Sequence, residues 1–293
     1  MRIGRRLEAL LVSPLIIILF ATLVIPGVIL FGYSLFTWRY LEPTGDPGLA
    51  SFIQALTDPL YRQLALNTLF VALPTTVLSI AGGYVIAYYA VFVQRRGRSL
   101  MFALIVSALM ASYLARIFAW RTLLGETGLI NSLLMGTGLI GEPLEVLLFS
   151  RPSAVLAMTA LFLPLAALTF YAALSGISSE YREAAWDLGA SRAQALWRVT
   201  IPLSGPSILA TAALIFFLAC GDYVTPVLVG GIDTVTIGRI IADYFGTSGA
   251  YGIGAALSFL MLGAFVLVYM LTRAGLRVTG VLPERTDAGG DRA

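Results

Sequence analysis

Long apolar runs constrain this chain more than any other feature. Stretches of about 20 apolar residues recur along it, each long enough to cross a hydrocarbon core of about 30 Å as a helix. A barrel would show shorter segments of strict alternation. Composition points the same way: 58% of residues are hydrophobic and 12% charged, where a soluble domain carries about 25%, and the mean hydropathy is +0.88. The runs predict an all-α integral membrane protein with six transmembrane helices, over residues 11–35, 67–93, 100–120, 153–174, 207–229 and 251–272. No internal repeat or low-complexity tract interrupts them, so residues 1–293 read as a single transmembrane domain. The first run follows Arg2, Arg5 and Arg6, exceeds a signal peptide's apolar core in length, and is read as an uncleaved anchor.

Arginine placement orients the spans. With the N-terminus cytoplasmic, Arg2, Arg5, Arg6, Arg95, Arg96, Arg98, Arg182, Arg192, Arg198, Arg273, Arg277, Arg285 and Arg292 lie inside. Arg39, Arg62, Arg116, Arg121, Arg151 and Arg239 then lie outside or in the outer parts of the spans, an excess that satisfies the positive-inside rule. Both termini are expected in the cytoplasm. Trp38, Tyr40 and Trp120 fall at outer boundaries, where amphipathic rings anchor at headgroup level. The tail from Pro283 to Ala293 is polar and expected to fray. The outward segments are too short to build a core of their own, so a substrate receptor would be a separate protein.

Several absences narrow the chemistry. The chain has no His, and every one of its 19 basic residues is Arg. Without Lys there is no P-loop to reach nucleotide phosphates. The single Cys, Cys220, lies in an apolar run and allows neither an intrachain disulfide nor a Cys-based metal site. No catalytic residue and no metal ligand set is expected; the chain reads as a non-enzyme that binds no cofactor and no nucleic acid.

One polar segment, residues 175–206, differs in character from the other loops. A short helix is predicted from Glu180 to Leu188, stopped by Gly189, the residue type that most easily takes the left-handed C-cap conformation. Ser191 with Gln194 three residues on has the pattern of a capping box opening a second helix, which Pro202 and Pro206 are expected to end. Periodicity alone leaves open an amphipathic pair lying on the membrane surface. Residue identity adds to it: Glu183-Ala184-Ala185, then Gly189, then Val199-x-Ile201-Pro202 resembles the EAA motif of binding-protein-dependent ABC importer permeases, with Val199 and Ile201 at the two aliphatic positions. The resemblance implies a type I ABC importer permease architecture in a bacterial inner membrane. It implies that Glu183, Ala184, Ala185, Asp187, Gly189, Ile201 and Pro202 form an ATPase-coupling knob. It also implies partners: a related but distinct second permease, an ATPase dimer carrying ATP-Mg, an extracytoplasmic binding protein, and membrane lipid.

Other stretches resemble the spermidine/putrescine subfamily of these permeases: Arg116 to Trp120, Leu123 to Asn131, and Gly221 to Pro226 with Gly230-Gly231. A polyamine is therefore the expected solute. The same subfamily serves opines, phosphonates and ferric iron, and an ion-coupled secondary transporter is the alternative of a different class.

Asp222 interrupts the fifth run. A carboxylate at a span centre costs about 2.5–3.5 kcal/mol, less toward the interface. Three readings stand: a pathway residue facing a cationic solute, a cap for a short helix beginning at Tyr223, or a partner for Arg116 at similar height. Tyr223, Asp243 and Arg116 complete the candidate pathway set. Residues 234–245 read as a short amphipathic helix on which Arg239 and Asp243, four apart, can pair. The outer segments hold nine acids, namely Glu42, Asp46, Asp58, Glu126, Glu142, Glu145, Asp222, Asp233 and Asp243, against the six outer Arg, a bias toward cationic solutes.

Overall fold

The computed structural model describes residues 2–39, 41–94, 97–144, 147 and 149–278. Tyr40, Arg95, Arg96, Glu145 and the tail from Pro283 to Ala293 lie outside these residues, as do the side chains of Arg2, Arg5 and Arg6. The chain opens with α1 (Arg2–Ser34), a hairpin of β1 (Thr37–Arg39) and β2 (Glu42–Thr44), and α2 (Ala50–Thr57). Next come α3 (Pro59–Tyr88), closed by a wide π turn (Tyr89–Val93), α4 (Arg98–Met110), α5 (Tyr113–Leu124), α6 (Leu129–Gly136) and α7 (Arg151–Ser175). Then follow α8 (Glu180–Asp187), α9 (Arg192–Ala195), a second π turn (Leu196–Thr200), α10 (Ile201–Leu203), α11 (Gly205–Gly221) and α12 (Val224–Val229). The last helices are α13 (Ile237–Asp243), followed by a third π turn (Tyr244–Ser248), and α14 (Tyr251–Val278).

Among the described residues, four segments are long and apolar enough to cross a membrane as they stand: Val12–Ser34, Pro59–Val93, Arg151–Ser175 and Tyr251–Val278. They match four of the expected spans. The other two differ. The expected third span, residues 100–120, is not one rod: α4 and the segment beginning with α5 meet at 94°. Ala111 and Ser112 both leave the helical region, at ψ 140° and 132°. Neither residue is Gly or Pro, so composition gives no warning of the break. The expected fifth span, residues 207–229, ends its helix at Gly221, and the joined segments Arg192–Leu203 and Gly205–Gly221 bend by 69°. Pro206 sits in the first turn of α11, where its missing N–H costs no bond. Among the described residues the chain is helical except for loops and the short β1–β2 hairpin, in keeping with the all-α expectation. Thr37 and Thr44 clamp that hairpin through side chain to backbone bonds of 2.6 and 3.0 Å, and Leu41 turns it at φ 69°.

Backbone packing divides the chain into two compact units. The first comprises residues through Gln63 together with Arg239–Ala264. Its packing is aromatic: Trp38 sets its ring edge on Tyr33 and Tyr251, with centroids 4.8 and 5.2 Å apart, and donates its indole N–H to the Tyr33 carbonyl. Gly252 is required there because a Cβ would collide with the Phe36 carbonyl and lie 2.9 Å from the Trp38 ring.

The second unit comprises Leu64–Gly238 and the residues from Phe265 on. In lipid, tails are as apolar as leucine, so helices associate through close packing and interhelical bonds rather than hydrophobic burial. Small and large side chains interlock at the contacts: Ala87 and Ala166 with Phe170, Leu174 and Ile215 form one fully buried cluster joining α3, α7 and α11. At Gly83 a Cβ would lie 2.6 Å from that of Ala166 and 2.8 Å from the Ala167 backbone nitrogen, so α3 and α7 approach only because Gly83 has no side chain. A second cluster, Ile117, Leu124, Ala157, Leu161 and Val229, fastens α5 and α12 to α7. Together the two clusters hold the broken helices in place.

Candidate functional site

The segment from Ser175 to Gly205 projects as a knob built by local signals. Glu180 and Glu183 occupy the first turn of α8, where carboxylates favour the positive end of the helix dipole. α8 stops at Gly189, which takes φ 84°. Its N–H donates to the Trp186 carbonyl and that of Ala190 to the Ala185 carbonyl, both at 2.9 Å, satisfying terminal groups of the helix. A Cβ on Gly189 would meet nothing within 4 Å, so the requirement is conformational, not steric crowding. The expected capping box forms in full: Ser191 Oγ accepts from the Gln194 N–H and Gln194 Oε1 from the Ser191 N–H.

No residue of α8 is buried. Glu183, Ala184 and Asp187 are exposed and Ala185 is half-buried. Leu188 is 88% exposed and Trp197 69%. A knob that presents two alanines, carboxylates and exposed Leu188 and Trp197 suits close contact with a partner, since small side chains let a second backbone approach.

Ile201 and Pro202 lie elsewhere in the knob. They are half-buried at the start of α10, at its root. Pro202 does not itself mark the end of the second helix. It lies in the last turn of the continuous segment Arg192–Leu203, just after the π turn Leu196–Thr200, in which the Ile201 N–H donates to the i−5 carbonyl of Leu196. The helix turns instead at Ser204, which is buried, donates to the Ile201 carbonyl and shares a 3.0 Å hydrogen bond with Tyr84 OH of α3. A further tie comes from Arg182 of α8, whose guanidinium carbon lies 3.6 Å over the Phe92 ring. Neither contact has a signal in the sequence, because the partners are far apart along the chain.

The second constellation surrounds Asp222. Its Oδ1 accepts the backbone N–H groups of Val224 and Thr225, each at 3.0 Å, and its Oδ2 accepts the Thr225 hydroxyl at 2.6 Å. Tyr113, the first residue of α5, donates its hydroxyl to Oδ1 at 2.6 Å. The carboxylate therefore opens α12 and joins the two helix breaks, α4–α5 and α11–α12, to each other. Three donors crowd Oδ1 and one reaches Oδ2, which keeps an acceptor position open. Arg116 does not pair with it. The Arg116 guanidinium donates instead to the Leu161 carbonyl of α7 at 3.1 Å. Tyr223 stands exposed beside the break. Asp243 belongs to the first unit and forms an ion pair with Arg239 at 3.0 Å, the expected i,i+4 pair. Asp222-x-x-Thr225 is an N-terminal capping pattern readable in the sequence; Tyr113 is not.

Helices of membrane-crossing length, two sharply bent helix pairs and an exposed two-helix knob define a helical membrane protein. The profile of one family, described as the binding-protein-dependent transport system inner membrane component, matches residues 8–275, and the chain belongs to that family. Among its relatives, the spermidine/putrescine transport system permease protein PotB of Escherichia coli K12 is 30% identical over 217 residues, 73% of this chain and 78% of that protein. PotB of Haemophilus influenzae is 28% identical over 232 residues, 79% of this chain and 80% of its own. A probable molybdenum ABC transporter permease protein of Haloferax volcanii is 27% identical over 252 residues, 85% of this chain and 89% of its own. The fold is shared with a bacterial ABC transporter involved in import of the acidic polysaccharide alginate, with a TM-score of 0.72 at 16% identity, covering 94% of this chain and 99% of that one. Membership of this family makes the chain a permease subunit of an ABC importer and sets aside the secondary-transporter reading.

Proposed function

We propose that this chain forms half of the solute pathway of an ATP-driven importer, most specifically one for polyamines, in a bacterial inner membrane. It does so as one transmembrane domain with six spans, counting each bent pair as one, and both termini in the cytoplasm. The observation that carries the reading is the knob: a helix with no buried residue, an alanine pair flanked by carboxylates, and a Gly189 turn at φ 84°. Glu183, Ala184, Ala185 and Asp187 are its docking face, Gly189 its turn, and Ile201 and Pro202 its root. The chain binds no cofactor and catalyses nothing itself; ATP-Mg is held by an ATPase dimer that grips the knob. A related second permease completes the pathway, and an extracytoplasmic binding protein delivers the solute.

The relatives named for spermidine and putrescine support the polyamine assignment, as does the acidic bias of the outer segments. In this reading Asp222 contributes negative charge at the break, with Oδ1 committed to the fold and Oδ2 the oxygen left to face a cation. Tyr223 faces the pathway beside it, Asp243 lies on the outer side, and Arg116 braces α7. Opine, phosphonate, ferric iron and molybdenum-type anion solutes are the competing assignments.

Affinity purification of the tagged chain from its native membrane tests the mechanism. An ATPase subunit should co-purify, and Glu183→Arg should lose it; co-purification unchanged by Glu183→Arg removes the docking assignment. Uptake of labelled spermidine by the assembled importer tests the solute.

A further inference from the structure

A knob that receives force must be fastened to something that moves, and α8 buries none of its own side chains. Arg182 attaches it to the end of α3. The guanidinium carbon lies 3.6 Å over the Phe92 ring and 5.8 Å from that of Trp186. Arg182 Nε is buried without a hydrogen-bond partner among the described residues, so stacking on the ring is the contact on which its position rests. Phe92 lies in the π turn that ends α3. There it packs edge-to-face on Tyr88 and against the buried cluster that joins α3 to α7 and α11.

We propose that Arg182 is the positioning residue that transmits motion from the knob to α3, by cation–π stacking on Phe92. The inference rests on the importer reading above. A guanidinium is suited to this role because it stacks flat on a ring, stays charged, and gains more from the contact where water is displaced. The π turn places Phe92 at the end of α3, where single π turns inside helices are frequent at functional sites. Arg182 itself has no role in gripping the ATPase, since its charge is turned inward onto the ring.

The test uses the importer as purified with its ATPase, in a Cys220→Ala background carrying Val93→Cys. Val93 is 54% exposed beside Phe92. Maleimide labelling of that cysteine is measured with and without ATP and vanadate. In the otherwise unsubstituted chain, nucleotide should change the labelling rate. Arg182→Ala and Phe92→Leu should each shrink the nucleotide-dependent change about tenfold while the ATPase still co-purifies. Phe92→Tyr, which keeps the ring face, should restore it, and the double variant should be no worse than either single one. Labelling in Arg182→Ala that responds to nucleotide as fully as the parent overturns the inference, as does equal loss in Phe92→Tyr and Phe92→Leu. Failure of the unsubstituted chain to capture any ATPase overturns the importer reading, and this inference with it.

Discussion

The Gly189 turn and the Asp222 break are both places where a helix stops, and they are built in opposite ways. The Gly189 turn is made by its neighbours in sequence: terminal amides close onto α8, and Ser191 with Gln194 opens α9. It stands in open space. The Asp222 break is held by a carboxylate at 9% exposure that bonds its own next helix and also Tyr113, 109 residues away. A locally built turn keeps its shape when a partner binds or leaves. A break bonded across the fold ties two helices together, so that neither moves alone. The contrast suits the roles proposed for each: one docks, the other holds two broken helices as a single body.

Substitutions can break or sharpen this contrast. The largest effect is expected for Asp222→Ala, which strips an acceptor from two backbone amides and two hydroxyls. It should cost about 3 kcal/mol of stability, visible as a large fall in the thermal midpoint of the detergent-purified protein. Asp222→Asn, which keeps an oxygen for the cap, should lose less; equal losses would mean that charge and not hydrogen bonding holds the break. Gly189→Arg comes next. Forcing a side chain into the left-handed region costs about 1–2 kcal/mol and confines the damage to the knob. Uptake should fall at least tenfold on that scale while the thermal midpoint barely moves. Transport at the normal rate would end the coupling assignment.

Tyr113→Phe removes one charge-assisted bond and should cost about 1.5 kcal/mol. Combined with Asp222→Ala it should add almost nothing, because the two share that bond; full additivity in a double-mutant cycle would deny the cross-link between the breaks. The smallest effect is expected for Arg239→Gln, whose ion pair with Asp243 is exposed, with side chains at 40% and 38%. A change of a few tenths of a kcal/mol or less is anticipated. A larger drop in stability would show that the pair is more than a surface contact.

The knob is legible in the sequence because every part of it is a short-range signal. Gly189, the Ser191–Gln194 box and the Glu183-Ala184-Ala185 run lie within a few residues of one another, and each acts through its own backbone. Its root is less legible. Pro202 reads as a stop and does fall in the last turn of its helix, but the widened turn before it and the bend at Ser204 after it have no signal in the sequence. The Asp222 site is half legible: Thr225 three residues on is a capping pattern, whereas Tyr113 is unrelated by spacing. Arg116 matches Asp222 in height, and height along a span says nothing about which way a side chain faces.

Apolar runs of span length, arginine bias and the absence of Lys and His settle by themselves that this chain is helical, lives in a membrane and holds no P-loop for ATP. Those conclusions follow from transfer energies and donor inventories, which depend on residue type and order along the chain and not on which residues meet in space. Only the tertiary structure decided that residues 98–124 bend by a right angle at Ala111–Ser112, that Asp222 answers to Tyr113, and that Arg182 lies on Phe92. In lipid every helix is apolar on most faces, so hydrophobicity cannot choose between neighbours. The choice falls to small residues such as Gly83 that let helices close up, and to the few polar groups that must find each other.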